Sequence, residues 1–309
     1  MTRFARLLLR RVLLLVVLLA AVFAAVDLLP GSTARAVLGR DATEAAVAAK
    51  ERELGLDRPL ALRFGDWLAD VLTGDFGQTA RGGSVRELLA GTFPQTLLLG
   101  AIAFALTIIV SLALGAWWSV RPRGALGRAL QPATTTAVAV PEFVVATLLI
   151  LVFSLATGWL PAVTITGRSG FPAAPDMLVL PVLALAIPQI GWNTRVVRAA
   201  LAEAFGLPHV ETAVLDGLPE RTVLTRHVLP FALPTIVASF ATTVGMLLGG
   251  ALVVETIFNY PGLGALLAAS VADRDTTLVA AVVAVAGVLI MLMLAAADAV
   301  RAWSLRGRI

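Results

Sequence analysis

Six stretches of this chain run for roughly twenty residues with almost no charge, the length that an α-helix needs to cross the hydrocarbon core of a bilayer. They fall at about 8–28, 96–118, 134–156, 178–197, 235–257 and 278–300. The fourth is shorter, and Pro181 and Pro188 are expected to break it. With 59% hydrophobic and 14% charged residues, and a mean hydropathy of +0.90, the chain has more apolar surface than a soluble core can hide. The runs are continuous rather than alternating, which predicts spanning helices and not a barrel. With no Cys, neither a disulfide framework nor a thiolate metal site can form.

The first run follows "MTRFARLLLRR", a basic start that a cleaved leader would share. It is longer than a leader's apolar core and no Ala-x-Ala closes it, so it reads as a retained span. Orientation follows from arginine. Arg3, Arg6, Arg10 and Arg11 stand at the N-terminus, Arg121, Arg123 and Arg128 follow the second run, and Arg301, Arg306 and Arg308 follow the sixth. In a six-helix layout these lie on one side, so both termini are expected to be cytoplasmic. The net charge of +4 is explained by these flanking arginines without invoking nucleic acid. Residues 31–95 mix both signs, Asp176 balances Arg168, and both regions belong outside. The chain therefore divides into 1–30, the N-terminus and first span; 31–95, an external insertion; and 96–309, a five-helix core with a polar loop at 203–230.

The insertion reads as two short helices. Thr43 is placed to cap the first and Gly55 to stop it, while Pro59 opens the second and Gly74 stops it. A Gly-rich turn, "GDFGQTARGG", follows. Either the insertion shields the mouth of the bundle or it touches the solute; the residues leave both readings open.

The polar loop interrupts the apolar pattern at "VETAVLDGLPERTVLTRHVLP", from Val210 to Pro230. A helix from Pro208 is expected to stop at Gly217, and a second is expected to run from Pro219 to Pro230. Val210, Ala213, Val214 and Gly217 share one face at helical spacing. Small residues there predict a docking surface that another backbone can approach closely.

Ionisable groups at membrane depth are functional candidates. Glu142, inside the third run and after Pro141, either lines a cavity and favours cationic solutes or bonds a neighbouring helix. Asp27 and Glu255 lie near outer helix ends, where an interfacial role suffices, and Asn193, Arg195 and Arg198 lie toward the inner end of the fourth run. Asn259, Tyr260, Pro261, Gly262 and Gly264, in "NYPGLG", break the fifth helix and form either a gate element or a plain turn. Catalysis finds no support. The two histidines, His209 and His227, sit in the polar loop, and there is no H-E-x-x-H, no G-x-S-x-G and no phosphate-binding G-x-x-x-x-G-K-[ST].

Glu211-x-Ala213, Gly217 and Leu229-Pro230 together resemble the "EAA" loop of bacterial ABC importer permeases. "ELGLDRPL", "GDFGQT", "FPQTLLLG", "GWLPA" and "VVETIFNYPGLGALL" occur in the order found in the dipeptide/oligopeptide/nickel branch of that family. The resemblance covers nearly the whole chain and implies an all-α, six-span type I ABC importer permease fold with a helical extracytoplasmic insertion. It implies a bacterial plasma-membrane location and makes Glu211, Ala213, Asp216, Gly217, Leu218, Leu229 and Pro230 the coupling residues. The partners implied are a homologous second permease, two ATPase subunits or one fused ATPase, an extracytoplasmic binding protein and membrane lipid. ATP and Mg would reside on the ATPase, with no cofactor or metal in this chain. The sequence departs from the family at Glu211 and Asp216, where basic residues are usual, at His227 for an aliphatic residue, and at Ser32-Thr33 for Asp-Pro. Di- or oligopeptides are the expected cargo, with nickel, a metal chelate or another small solute as the alternative. A proton-coupled secondary transporter built on Glu142 is the alternative of a different class.

Overall fold

The computed structural model describes residues 3–29, 31–39, 41–167 and 170–306. Arg168 and Arg308 lie outside the described residues, as do the side chains of Arg3, Arg6, Arg301 and Arg306. The described chain is helical, apart from turns and two isolated β-bridges. Its helices are α1 (Arg3–Asp27), α2 (Thr33–Leu38), α3 (Glu44–Glu53), α4 (Leu60–Leu72), α5 (Val85–Val120), α6 (Ala125–Ala139) and α7 (Glu142–Leu149). There follow α8 (Val179–Phe205), α9 (Pro208–Leu215), α10 (Glu220–Thr222), α11 (Leu229–Ile257), α12 (Leu263–Ala272) and α13 (Thr276–Arg306). Five helices among the described residues are long and apolar enough to cross a membrane, and a sixth span results if the bent pair α6–α7 counts as one.

The third apolar run is not the single helix expected. It breaks at Val140–Pro141, and its halves meet at 107°. The cause is local: Pro141 has no N–H to offer the preceding turn, and its ring pushes Val140 into an extended conformation, φ −88° and ψ 122°. Glu142 is therefore the first residue of α7 and not the middle of a span. Beyond α7 the chain continues as a π-helical stretch, Ile150–Ala156.

The fourth run departs from expectation the other way. α8 passes unbroken through Pro181 and Pro188. Pro181 sits in the first turn, where its missing N–H is not needed, and Pro188 is buried among neighbouring helices that hold the backbone in place.

Two compact units emerge. One comprises Leu97–Tyr260 with Leu292–Ile309, and α8 is its centre. α11, α6 and α7 pack on α8. One cluster gathers Leu99, Leu180, Leu185, Leu247, Val254, Phe258 and Tyr260, and another gathers Val197, Leu201, Val210, Val228 and Phe240. Close approach to α6 depends on Gly191, where a Cβ would stand 2.9 Å from the Thr134 carbonyl oxygen. Asn193, fully buried, donates to the Gln189 carbonyl and the Thr243 hydroxyl at 2.8 Å each and accepts from Ser239 at 2.7 Å, tying α8 to α11. Arg198 is stacked 4.2 Å from the Trp118 ring centroid.

The other unit comprises Met1–Thr96 with Pro261–Met291. Phe23, Phe64 and Trp67 form an aromatic group, and Leu19, Leu89, Leu263 and Leu278 extend the core. Thr43 caps α3, and Gly55 and Gly74 adopt positive φ just past α3 and α4. Ser32, one of the departures noted in the sequence, caps the unforeseen helix α2 and donates to Glu51 at 2.6 Å. Thr33 donates to the Arg274 carbonyl at 2.9 Å. The Gly-rich turn is pinned to the start of α13: Asp275 accepts from the Ala80 N–H at 2.6 Å, and Arg81 pairs with Asp273 at 2.7 Å. Also unforeseen is α12, ten residues between the fifth and sixth runs.

Candidate functional site

The polar loop folds as a helical hairpin. α9 ends at Leu215, Asp216 closes it, and Gly217 takes φ 74°, a conformation that only glycine adopts without steric cost. Pro219 stands before α10, which runs into a π-helical stretch, Val223–Val228, and then α11. The expected stop at Pro230 is absent. Pro230 falls in the first turn of α11, immediately after the wider π turn, and the helix continues. The legs of the hairpin are joined by His209, whose Nε2 donates to the His227 carbonyl at 3.0 Å and whose ring lies 4.4 Å from that of Phe231.

The shared face expected for docking divides in two. Val210 and Ala213 are buried in the chain's own core, so the small size of Ala213 serves internal packing. The outward surface consists of Glu211, Asp216, Gly217 and Leu218 with Val214, which the periodicity had placed on the shared face, and Leu215, which it had not. Leu215 is 80% exposed, and Val214 and Leu218 flank it as exposed apolar side chains. Of the remaining coupling candidates, Leu229 is half-buried and Pro230 exposed.

A cavity of about 180 Å³ lies at the α6–α7 break, lined by Val138–Val140, Pro141, Glu142, Pro188, Gln189, Trp192 and Met246. Glu142 is half-buried, and no described residue makes a hydrogen bond or ion pair with its carboxylate. Gly250 makes room for it; a Cβ there would stand 3.4 Å from Glu142 Oε1. Gln189 is 4% exposed, and its side-chain oxygen has no hydrogen-bond partner among the described residues.

The "NYPGLG" turn does end α11. Asn259 is exposed with φ 49°, while Tyr260 is fully buried and its N–H donates to the Glu255 carbonyl at 2.8 Å. Thr164 N–H donates to the Phe258 carbonyl at 2.8 Å, and Leu263 N–H to the Thr96 hydroxyl at 2.8 Å. Gly262 precedes α12, and Leu263 and Gly264 are buried within it. Glu255 is fully buried, which replaces the interfacial position expected for it. Asp27 pairs with Arg63 at 2.7 Å.

A second cavity, about 260 Å³, is enclosed by α4, the Gly-rich turn and the start of α13. In its walls Arg58 pairs with Asp66 at 2.6 Å, and Asp275 holds the Ala80 and Leu278 N–H groups. Burial pushes the Asp275 carboxyl above its ordinary value, with those two N–H bonds opposing the shift.

Two family descriptions cover the chain. Residues 108–308 match the binding-protein-dependent transport system inner membrane component, and residues 1–112 match the N-terminal part of such membrane components. Among curated relatives, a probable peptide ABC transporter permease protein, y4tP of Sinorhizobium fredii, is 31% identical over 88% of both chains. The glutathione transport system permease protein GsiC of Salmonella typhimurium is 33% identical over 84% of this chain and 83% of its own. Among solved structures, an inward-facing form of the MetNI methionine ABC transporter superposes with a TM-score of 0.56 at 17% identity, covering 70% of this chain and 96% of that one. The chain belongs to the binding-protein-dependent transport system inner membrane component family and is a multi-pass permease subunit of an ABC importer, not the proton-coupled secondary transporter that Glu142 alone had allowed.

Proposed function

We propose that this subunit imports di- or oligopeptides, delivered by an extracytoplasmic binding protein and driven by partner ATPases. The observation that carries the reading is identity of 31–33% across more than four-fifths of the chain to permeases named for peptide and for glutathione, itself a small peptide. Nickel or chelate import is disfavoured by donor chemistry, since a soft metal ion prefers thiolate or imidazole and the spans contain neither.

Counting α6–α7 as one span gives six, with both termini, Arg121–Arg128 and the α9–α10 hairpin in the cytoplasm and residues 31–95 outside. The hairpin is then the element that seats on the ATPase. Exposed Val214, Leu215 and Leu218 supply apolar contact, and Gly217 sets the turn between its legs. A second permease completes the pathway. ATP acts by binding better to one arrangement of the ATPases than to the other, and the hairpin transmits that preference. ATP and Mg reside on those partners. The Asn259–Gly264 turn is the gate or rim element on the outer side, where a non-helical backbone is tolerated.

The test is reconstitution with the neighbouring ATPase, second permease and binding protein. Labelled dipeptide uptake should require ATP, and nickel uptake should not exceed background. Leu215→Asp should insert normally, because the side chain is exposed within this chain, yet lose ATPase co-purification. Retained co-purification would overturn the docking role, and ATP-dependent nickel uptake without peptide uptake would overturn the cargo.

A further inference from the structure

The cavity at the α6–α7 break presents hydrogen-bond acceptors. Glu142 contributes a carboxylate with no ion pair to a described residue, and Gln189, almost wholly buried, carries an amide oxygen that no described donor reaches. The break itself adds to this. Val138, Ala139 and Val140 line the cavity as the C-terminal turn of α6, which carries the negative end of the helix dipole. Pro141 has no N–H to return to the Ala137 carbonyl, so that turn ends with carbonyl capacity left over. Leaving a carboxylate and an amide oxygen unmatched in a low-dielectric wall is costly unless a donor arrives. Trp192 and Met246 are exposed at the rim, and an indole face attracts a cation.

We propose that this cavity is a subsite for the primary ammonium group of the transported solute, which for a peptide is its amino terminus. An –NH3+ group has three donors and no acceptor, and the cavity offers two acceptor side chains and one negative charge beside the C-terminal turn of α6. Calcium would ask for six or more oxygens and magnesium for an octahedron of them, and a single carboxylate does not provide that shell. The volume of about 180 Å³ holds one amino-terminal residue with a few waters, not a whole oligopeptide. Discrimination would therefore act on one end of the cargo and tolerate variety beyond it. The inference rests on reading the cavity as part of the transport path.

The experiment uses the assembled complex in lipid nanodiscs and a carboxyl-modifying carbodiimide, with labelling of Glu142 read by peptide mass spectrometry. Millimolar alaninamide, an amine without a carboxylate, should slow labelling severalfold, while N-acetylalaninamide and potassium at the same concentration should not. Equal protection by potassium, protection by the acetylated compound, or no modification of Glu142 at all would each overturn the proposal. In proteoliposomes, Glu142→Gln should lower uptake of a free-amine dipeptide about tenfold or more, as expected for one lost charge-assisted hydrogen bond. Adding Gln189→Glu to that variant returns a carboxylate to the same cavity and should restore most of the uptake, which a merely structural role for Glu142 would not allow. Unchanged uptake in Glu142→Gln, or no rescue in the double variant, would overturn the proposal. A complex that takes up no peptide but shows alaninamide protection would sink the peptide reading and leave the ammonium subsite standing.

Discussion

Two carboxylates stand at the starts of apolar helices in this protein, and their surroundings differ in one respect. Asp275 precedes α13, is buried, and spends both oxygens on backbone donors, Ala80 at 2.6 Å and Leu278 at 3.0 Å. Glu142 opens α7, is half-buried, and has no bond from any described residue. Both gain from the positive helix N-terminus. Each lines a cavity, and the difference lies in what its oxygens hold. At Asp275 they accept from backbone N–H groups and close a turn onto a helix; at Glu142 no described donor reaches them. A saturated carboxylate holds structure, whereas an unsaturated one is free to meet a ligand at a cost in stability.

That contrast breaks most visibly at Asp275→Leu. The substitution removes the cap of α13 and leaves the Ala80 N–H without its acceptor, together about 2–4 kcal/mol. The loss should appear as a lowered melting temperature in detergent and as new proteolytic nicking in the 74–84 turn. Unchanged melting and an intact turn would show that Asp275 is not the clamp described.

Asp275→Asn is milder and reads out the charge. Asparagine keeps one acceptor oxygen and loses the other, about 1 kcal/mol. Because burial raises the native Asp275 carboxyl above its ordinary 3.8, the native state binds the proton more tightly than the unfolded chain. Stability from this group is thus present below the unfolded value and is lost as pH rises through the native one. The advantage of the wild type over Asp275→Asn should be largest near pH 4 and narrow toward neutrality. Melting both proteins across that range is the check, and an advantage that grows with pH would refute the assignment.

What could be read in the sequence was what neighbouring residues decide among themselves. Thr43, Gly55, Gly74 and Gly217 each behave as their local chemistry requires, since a cap or a positive φ involves only a few consecutive residues. Proline was less legible. The same residue breaks the chain at Pro141, passes unnoticed at Pro188 and sits beside a π turn at Pro230, because packing decides whether the lost bond can be made good. The docking tip shows the same limit. A helical wheel groups Ala213 with Gly217, yet the fold buries Ala213 and exposes Leu215. Gln189 gave no signal at all, as its significance comes only from Glu142 and the end of α6 lying across the same cavity.

The smallest expected effect is the most informative. If Glu142 has no structural bond, Glu142→Leu removes a desolvated charge and orphans no donor within this chain. The cost to folding should lie within about 0.5 kcal/mol of zero, or the melting temperature should rise, as happens when a residue kept for function is replaced by one that suits its surroundings better. The leucine adds no charge to the membrane interior and conserves approximate volume, so overpacking is not the expected response. A drop of about 1 kcal/mol or more would mean that the carboxylate is satisfied in the assembled complex by a donor outside this chain, the second permease being the natural source. Melting the isolated subunit and the assembled complex separately distinguishes the two. A loss confined to the complex assigns Glu142 to the subunit interface, and no loss in either leaves it facing the solute.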